Sequence, residues 1–124
     1  MEDKTAKNVL VVDDDTEFAK NLSSKIETQG LRAHTAITPK EALDFIAQNE
    51  VDFIILDFVM PEMDGYSVHH IINRDMRKNI PTIILTNFPN AKNMPQDLEI
   101  FVKSETNLDT LVEKIKTRLS LNQI

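Results

Sequence analysis

The chain has no cysteine, which excludes disulfides and thiolate metal sites. Glycine is scarce, at 2 residues, so neither G-x-x-x-x-G-K nor G-x-G-x-x-G can be written and a glycine-rich nucleotide loop is excluded. No run approaches the roughly 20 apolar residues that span a bilayer. The first residues, Met1-Glu2-Asp3-Lys4-Thr5-Ala6-Lys7-Asn8, are polar and lack the apolar centre of a secretory signal. We therefore expect a cytoplasmic protein with no membrane partner. Positive charge is also in short supply: 14 Lys and Arg stand against 20 Asp and Glu, a net charge of −6. Binding to nucleic acid needs clustered Lys and Arg, so no direct contact of that kind is expected. What is present is an ordinary globular balance, 41% hydrophobic and 27% charged, over 124 residues, long enough to bury one core. With no repeat or internal linker, residues 1–124 are expected to form one domain, with residues 1–7 flexible.

Apolar runs alternate with amphipathic stretches. Residues 8–13 (NVLVVD), 52–57 (DFIILD) and 81–86 (PTIILT) predict strands buried on both faces. Residues 31–36 and 99–103 (EIFVK) predict two further strands. Phe18, Leu22 and Ile26 recur at helical spacing within residues 16–29, and Gly30 follows as a stop. Thr38, Pro39 and Glu41 form a helix start, with Thr38 as cap, Pro39 at the first helical position and Glu41 completing a capping box. That helix runs to about residue 49. Val68, Ile71, Ile72 and Met76 stripe a helix over residues 66–76, and Leu108, Leu111, Val112, Ile115 and Leu119 stripe the final one. Strand–helix alternation implies an α/β fold, a doubly wound parallel sheet of five strands with helices on both faces. The natural strand order is 2-1-3-4-5.

The strand ends carry the chemistry. The first ends in Asp13-Asp14, the third in Asp57, the fourth in Thr86 and the fifth in Lys103. In a parallel sheet these ends share one edge, and the first and third strands meet at the switch point where such sheets hold ligands. Taken singly, each residue is an ordinary solvated turn residue; together they place three carboxylates, a hydroxyl and an ammonium in one cleft. Crowded carboxylates repel, and a hard cation with oxygen ligands, Mg²⁺, relieves that repulsion. Metal, ammonium and hydroxyl are the groups that stabilise a phosphoryl group in transfer. Asp57 is the candidate nucleophile, since a carboxylate can form an aspartyl phosphate.

The segments Val9-Leu10-Val11-Val12-Asp13-Asp14-Asp15 and Asp57-Phe58-Val59-Met60-Pro61-Glu62-Met63-Asp64-Gly65 resemble the acidic-pair and phosphoacceptor segments of response-regulator receiver domains. The resemblance covers essentially the whole chain. It implies a receiver domain of a two-component system over residues 1–124, with Asp57 as phosphoacceptor. It implies Asp14 as a direct Mg²⁺ ligand, Asp13 as a ligand acting mostly through water, and Asp57 and the Val59 carbonyl as the remaining protein ligands. Thr86 matches the switch hydroxyl and Lys103 the lysine that pairs with the phosphoryl group. The implied donor is a histidine kinase or histidine phosphotransfer protein. The product would be a signalling switch rather than an enzyme, with at most self-phosphorylation from small donors and slow loss of the group.

After Thr86 the chain departs from the receiver pattern. Asn87 stands where receivers carry a small residue. Residues 87–98 contain Pro89 and Pro95 and have little apolar periodicity, so the fourth helix of the family is expected to be short, displaced or disordered. Ile100 occupies the aromatic switch position, with Phe101 beside it, and Ser104 replaces a proline that follows the lysine through a cis bond. The bond before Ser104 is therefore either strained or rebuilt in trans. The signal is then expected to pass through ordering of residues 87–98 or through the final helix. The residues flanking the hydrolytic water in receivers correspond to Val59 and Phe88. Both are apolar and cannot orient water, which predicts a long-lived phosphoryl group. The alternative function is a degenerate receiver used as a phosphorylation-independent interaction module. An aspartate-nucleophile phosphatase would need an acid at Val59, and a flavin binder a phosphate loop after the first strand. His69 and His70, adjacent on a helix, point about 100° apart and cannot chelate one metal. His69, His70, His34 and the basic residues of 74–78 read as solvated or half-buried structural groups, Asp15 as solvated, and Tyr66, Met60 and Met63 as packing.

Overall fold

A computed structural model describes residues 6–121. The elements run β1 (Asn8–Val12), α1 (Thr16–Glu27), β2 (Arg32–Ala36), α2 (Pro39–Gln48), β3 (Phe53–Asp57), α3 (Gly65–His70), β4 (Thr82–Thr86), β5 (Glu99–Val102) and α4 (Leu108–Leu121). The sheet has five parallel strands in the order β2-β1-β3-β4-β5, as the alternation of elements predicts. Of the stretch 1–7 expected to be flexible, residues 1–5 lie outside the described residues. The Lys7 carbonyl accepts the Arg32 N–H at 2.9 Å.

Side chains alternate along each strand and build a core on either face. Leu10, Val12, Ile54, Leu56 and Ile84 face the α2 and α3 side with Ala42, Ile46, Val68 and Ile72. Val9, Val11, Phe53, Ile55, Ile83 and Leu85 face the α1 and α4 side with Leu22, Ile26, Leu111 and Ile115. The central strands β3 and β4 are buried throughout, whereas β2 and β5, at the edges, are mostly half-buried. This explains why three apolar runs in the sequence are continuous and two are mixed.

Local signals set the boundaries. Asp15, rather than being merely solvated, caps α1 by accepting the Phe18 N–H at 3.1 Å, and Thr38 caps α2 by accepting that of Glu41 at 3.1 Å. Gly30, at φ +83°, reverses the chain after α1. Gly65 is required by space: a Cβ there would lie 2.9 Å from the Phe58 Cα and 3.0 Å from the Asp57 carbonyl oxygen. The third helix lets the loop after Asp57 pass this close only because its first residue lacks a side chain.

Three expectations are corrected. The helix over 66–76 is not one regular helix; it widens to a π-turn at Ile71–Asp75, marked by the Met76 N–H donating to the Ile71 carbonyl, and Arg77 at φ 55° ends it. Lys78, expected to be solvated, donates from Nζ to the Ile46 carbonyl at 2.6 Å in the last turn of α2, where a cation suits the helix dipole. Tyr66 is 42% exposed and lies parallel to His70, ring centroids 6.0 Å apart, so it is not core packing. Met60, by contrast, is buried, and Met63 packs against the same cluster.

Residues 87–98 form turns and bends with no helix. Pro89 and Pro95 supply no N–H, and Asn93 takes φ 65°, which a helix does not admit. The segment is not loose: Met94 is buried, and Ala91 and Leu98 pack with Ile100 on the α2 and α3 side. No peptide bond among the described residues is cis, so the chain passes Lys103–Ser104 in trans and enters a 3-10 turn at Lys103–Glu105.

Candidate functional site

The edge formed by the strand ends gathers Asp13, Asp14, Asp57 and Lys103. Alternation explains the grouping. Asp13 continues the Val9–Val11 side of β1, Asp57 the Phe53–Ile55 side of β3, and Lys103 follows Phe101 on the same side of β5. Carboxylate oxygens of Asp13, Asp14 and Asp57 all lie within 4.8 Å of one another. Asp13 and Asp57 are buried, at 1% and 6% exposure, while Asp14 is exposed.

Lys103 Nζ sits 2.8 Å from Asp13 Oδ2 and 3.8 Å from Asp57 Oδ2. It also lies 4.6 Å from the centroid of the Phe18 ring, a cation–π contact that limits where the ammonium can go. Phe18 reads in sequence only as part of the α1 stripe; its place under the lysine depends on how α1 crosses the strand ends. Asp57 Oδ1 accepts the Val59 N–H at 3.2 Å, and Asp13 Oδ1 accepts the Asp15 N–H at 2.9 Å.

The charges do not balance. Burial first, then the neighbouring Asp13 charge, push the Asp57 carboxyl up to about 7, against the smaller opposing pull of Lys103 and the Val59 N–H. Burial pulls the Lys103 ammonium down, but the carboxylates of Asp13, Asp57 and Asp15 outweigh it and hold the group above its ordinary value. Asp13 Oδ2, although close to Lys103, has no aligned hydrogen-bond donor despite being buried. Three carboxylates crowded against a single ammonium leave negative charge in excess, their oxygens are the donor set of a hard divalent cation, and the three acids fit one.

Thr86 ends the neighbouring strand, β4. Asp57 is in register with Leu85, and Thr86, one residue on, continues the opposite, Ile84 side of β4. Its buried hydroxyl oxygen accepts the Phe88 N–H at 2.9 Å. Val59 and Phe88 are 50% and 62% exposed.

The profile of the response regulator receiver domain family matches residues 9–116, and the chain belongs to that family. It is 35% identical over 79 residues to the heme response regulator HssR of Staphylococcus epidermidis, covering 64% of this chain and 34% of the relative. The structure of the Francisella response regulator 1452 receiver domain superposes with a TM-score of 0.81 at 29% identity, covering 94% of this chain and 98% of the other. The response regulator TrrA of Thermotoga maritima, in complex with Mg(2+)-BeF, gives 0.77 at 28% identity, covering 90% and 97%. The chain spans about half or less of the length of the curated relatives it matches. It is thus a receiver domain of the two-component response-regulator type, a signalling domain. Among the described residues, no helix is long and apolar enough to cross a membrane.

Proposed function

We propose that Asp57 accepts a phosphoryl group from the phosphohistidine of a histidine kinase or histidine phosphotransfer protein, and that residues 1–124 act as one receiver domain in the cytoplasm. The observation that carries this reading is Asp57 at the centre of the edge, with Lys103 Nζ 3.8 Å away and the Asp13 and Asp14 carboxylates within 4.8 Å. Asp13, Asp14, Asp57 and the Val59 carbonyl would hold Mg²⁺. When bound, the ion neutralises the crowded carboxylates and draws charge from a phosphoryl oxygen.

A carboxylate oxygen of Asp57 attacks phosphorus as the P–N bond of the donor breaks, the bonding pair returning to the imidazole nitrogen. Ionised Asp57 is required, and Lys103 favours that form. The Lys103 ammonium, already beside Asp57, neutralises charge on a phosphoryl oxygen. The Thr86 hydroxyl reaches the group by leaving the Phe88 N–H, a rotation that makes it sensitive to phosphorylation. Val59 and Phe88 offer no side-chain polar group to position a water, so the acyl phosphate persists. No further catalytic activity is assigned to the domain. The complete set of charged groups favours this reading over a phosphorylation-independent interaction module.

Incubation with phosphoramidate or acetyl phosphate in Mg²⁺ tests it. Wild type should gain one phosphoryl group by intact mass, and Asp57→Asn none. Equal gain by the two proteins would refute the assignment.

A further inference from the structure

Two departures that stand 17 positions apart in the chain meet in space. Asn87 follows Thr86 at the end of β4, and Ser104 follows Lys103 at the end of β5. The Ser104 N–H donates to the Asn87 side-chain oxygen at 2.8 Å. We infer that Asn87 is a positioning residue for Lys103, holding through Ser104 the turn from which the ammonium reaches Asp13 and Asp57. The inference rests on the role proposed above for Lys103.

The first N–H groups of a short helix have no partner within it. Lys103–Glu105 is a single 3-10 turn, closed by a long bond of 3.4 Å from the Thr106 N–H to the Lys103 carbonyl. Val102, which precedes it, has no side chain able to cap. A proline at position 104 would present no donor; serine does, and Asn87 reaches over from the neighbouring loop to accept it. On the far side of the turn the Thr106 hydroxyl donates to the Val102 carbonyl at 2.6 Å. Lys103 is thereby tied on both sides.

The lysine has little slack. Its Nζ is seated against Asp13, Asp57 and the Phe18 ring at 2.8, 3.8 and 4.6 Å, so the backbone must deliver the side chain from a fixed place. A misplacement of about 1 Å in such a group costs roughly 100-fold in rate. Asn87 and Ser104 are exposed, so water can replace the lost acceptor in part and the expected loss is smaller.

The test compares wild type with Asn87→Ala, which removes the acceptor, and Asn87→Asp, which keeps one. In metal-free protein, Asn87→Ala should speed hydrogen exchange at the Ser104 amide and shift the Lys103 side-chain ¹³Cε resonance, and Asn87→Asp should restore both. With phosphoramidate and saturating Mg²⁺, labelling of Asn87→Ala should slow about tenfold, below the roughly 100-fold of a full misplacement, and Asn87→Asp should label within about twofold of wild type. An unmoved Lys103 resonance in Asn87→Ala overturns the inference, even if the melting temperature falls. So does equal slowing of both variants while the Ser104 amide stays protected in Asn87→Asp. If wild type itself takes no label, the phosphoacceptor reading fails, and the metal-free resonances still decide whether Asn87 places Lys103.

Discussion

The β1–β3 half of the sheet edge and the β4–β5 half are built in different ways. Asp13 and Asp57 end neighbouring strands on the same side of the sheet and are held by nearby backbone N–H groups, those of Asp15 and Val59. Their positions follow from strand alternation and tight loops. Thr86 and Lys103 end strands joined by residues 87–98, which cross without a helix; Thr86 is also held locally, by the Phe88 N–H, but the turn that carries Lys103 is tied to the Asn87 side chain of the neighbouring loop. The site residues of both halves are readable along the chain as strand ends; the contact between distant loops that ties the turn carrying Lys103 is not.

The largest effect expected is at the seam between the halves. Lys103→Ala removes the ammonium beside Asp57, and labelling by phosphoramidate should fall about 10²- to 10³-fold. A loss under threefold would mean that the β1–β3 half works alone. Gly65→Ala attacks that half directly. Its methyl group would meet backbone at 2.9 and 3.0 Å, so urea unfolding should show a loss of about 1–3 kcal/mol. Unchanged stability would mean that the loop after Asp57 yields freely.

The acidic half also has a pH signature. Asp57 has its carboxyl raised to about 7 in the fold, from 3.8 without it. The protonated form is therefore favoured by folding. The resulting stability is present in full below pH 3.8 and is lost as pH rises through about 7. Urea midpoints of metal-free protein should fall over that range, and Asp57→Asn should flatten the change. A midpoint that rises through neutrality in wild type alone would reverse the sign. The smallest effects belong to the loops that follow β3 and β4. Amides of residues 87–98 should change protection on adding a phosphoryl mimic; no change would remove this segment from the relay. The acyl phosphate should outlast that of Val59→Asn, whose amide can hold a water; equal lifetimes would discount the apolar pair.

Much of the fold was legible. Continuous runs such as Phe53–Asp57 must be buried on both faces, and Thr38 with Pro39 and Glu41 marks a helix start from local chemistry alone. Asp13, Asp14, Asp57 and Lys103 were legible because parallel strands bring their ends together. The rest depends on contacts between distant residues. Phe18 beneath Lys103, Lys78 on the end of α2, and Asn87 on Ser104 carry no periodic signal. The π-turn at Ile71–Asp75 keeps the same apolar residues as a regular helix, so the stripe could not reveal it. The turns of residues 87–98 were legible only as a helix that fails, from Pro89 and Pro95.

Chemical location of the phosphoryl group tests the central claim most directly. After incubation with phosphoramidate, borohydride reduction turns an aspartyl phosphate into homoserine, which peptide sequencing can place. Homoserine at position 57, formed only when Mg²⁺ is supplied, is the predicted result. Homoserine at position 13 or 14, or the same yield without the metal, would contradict it.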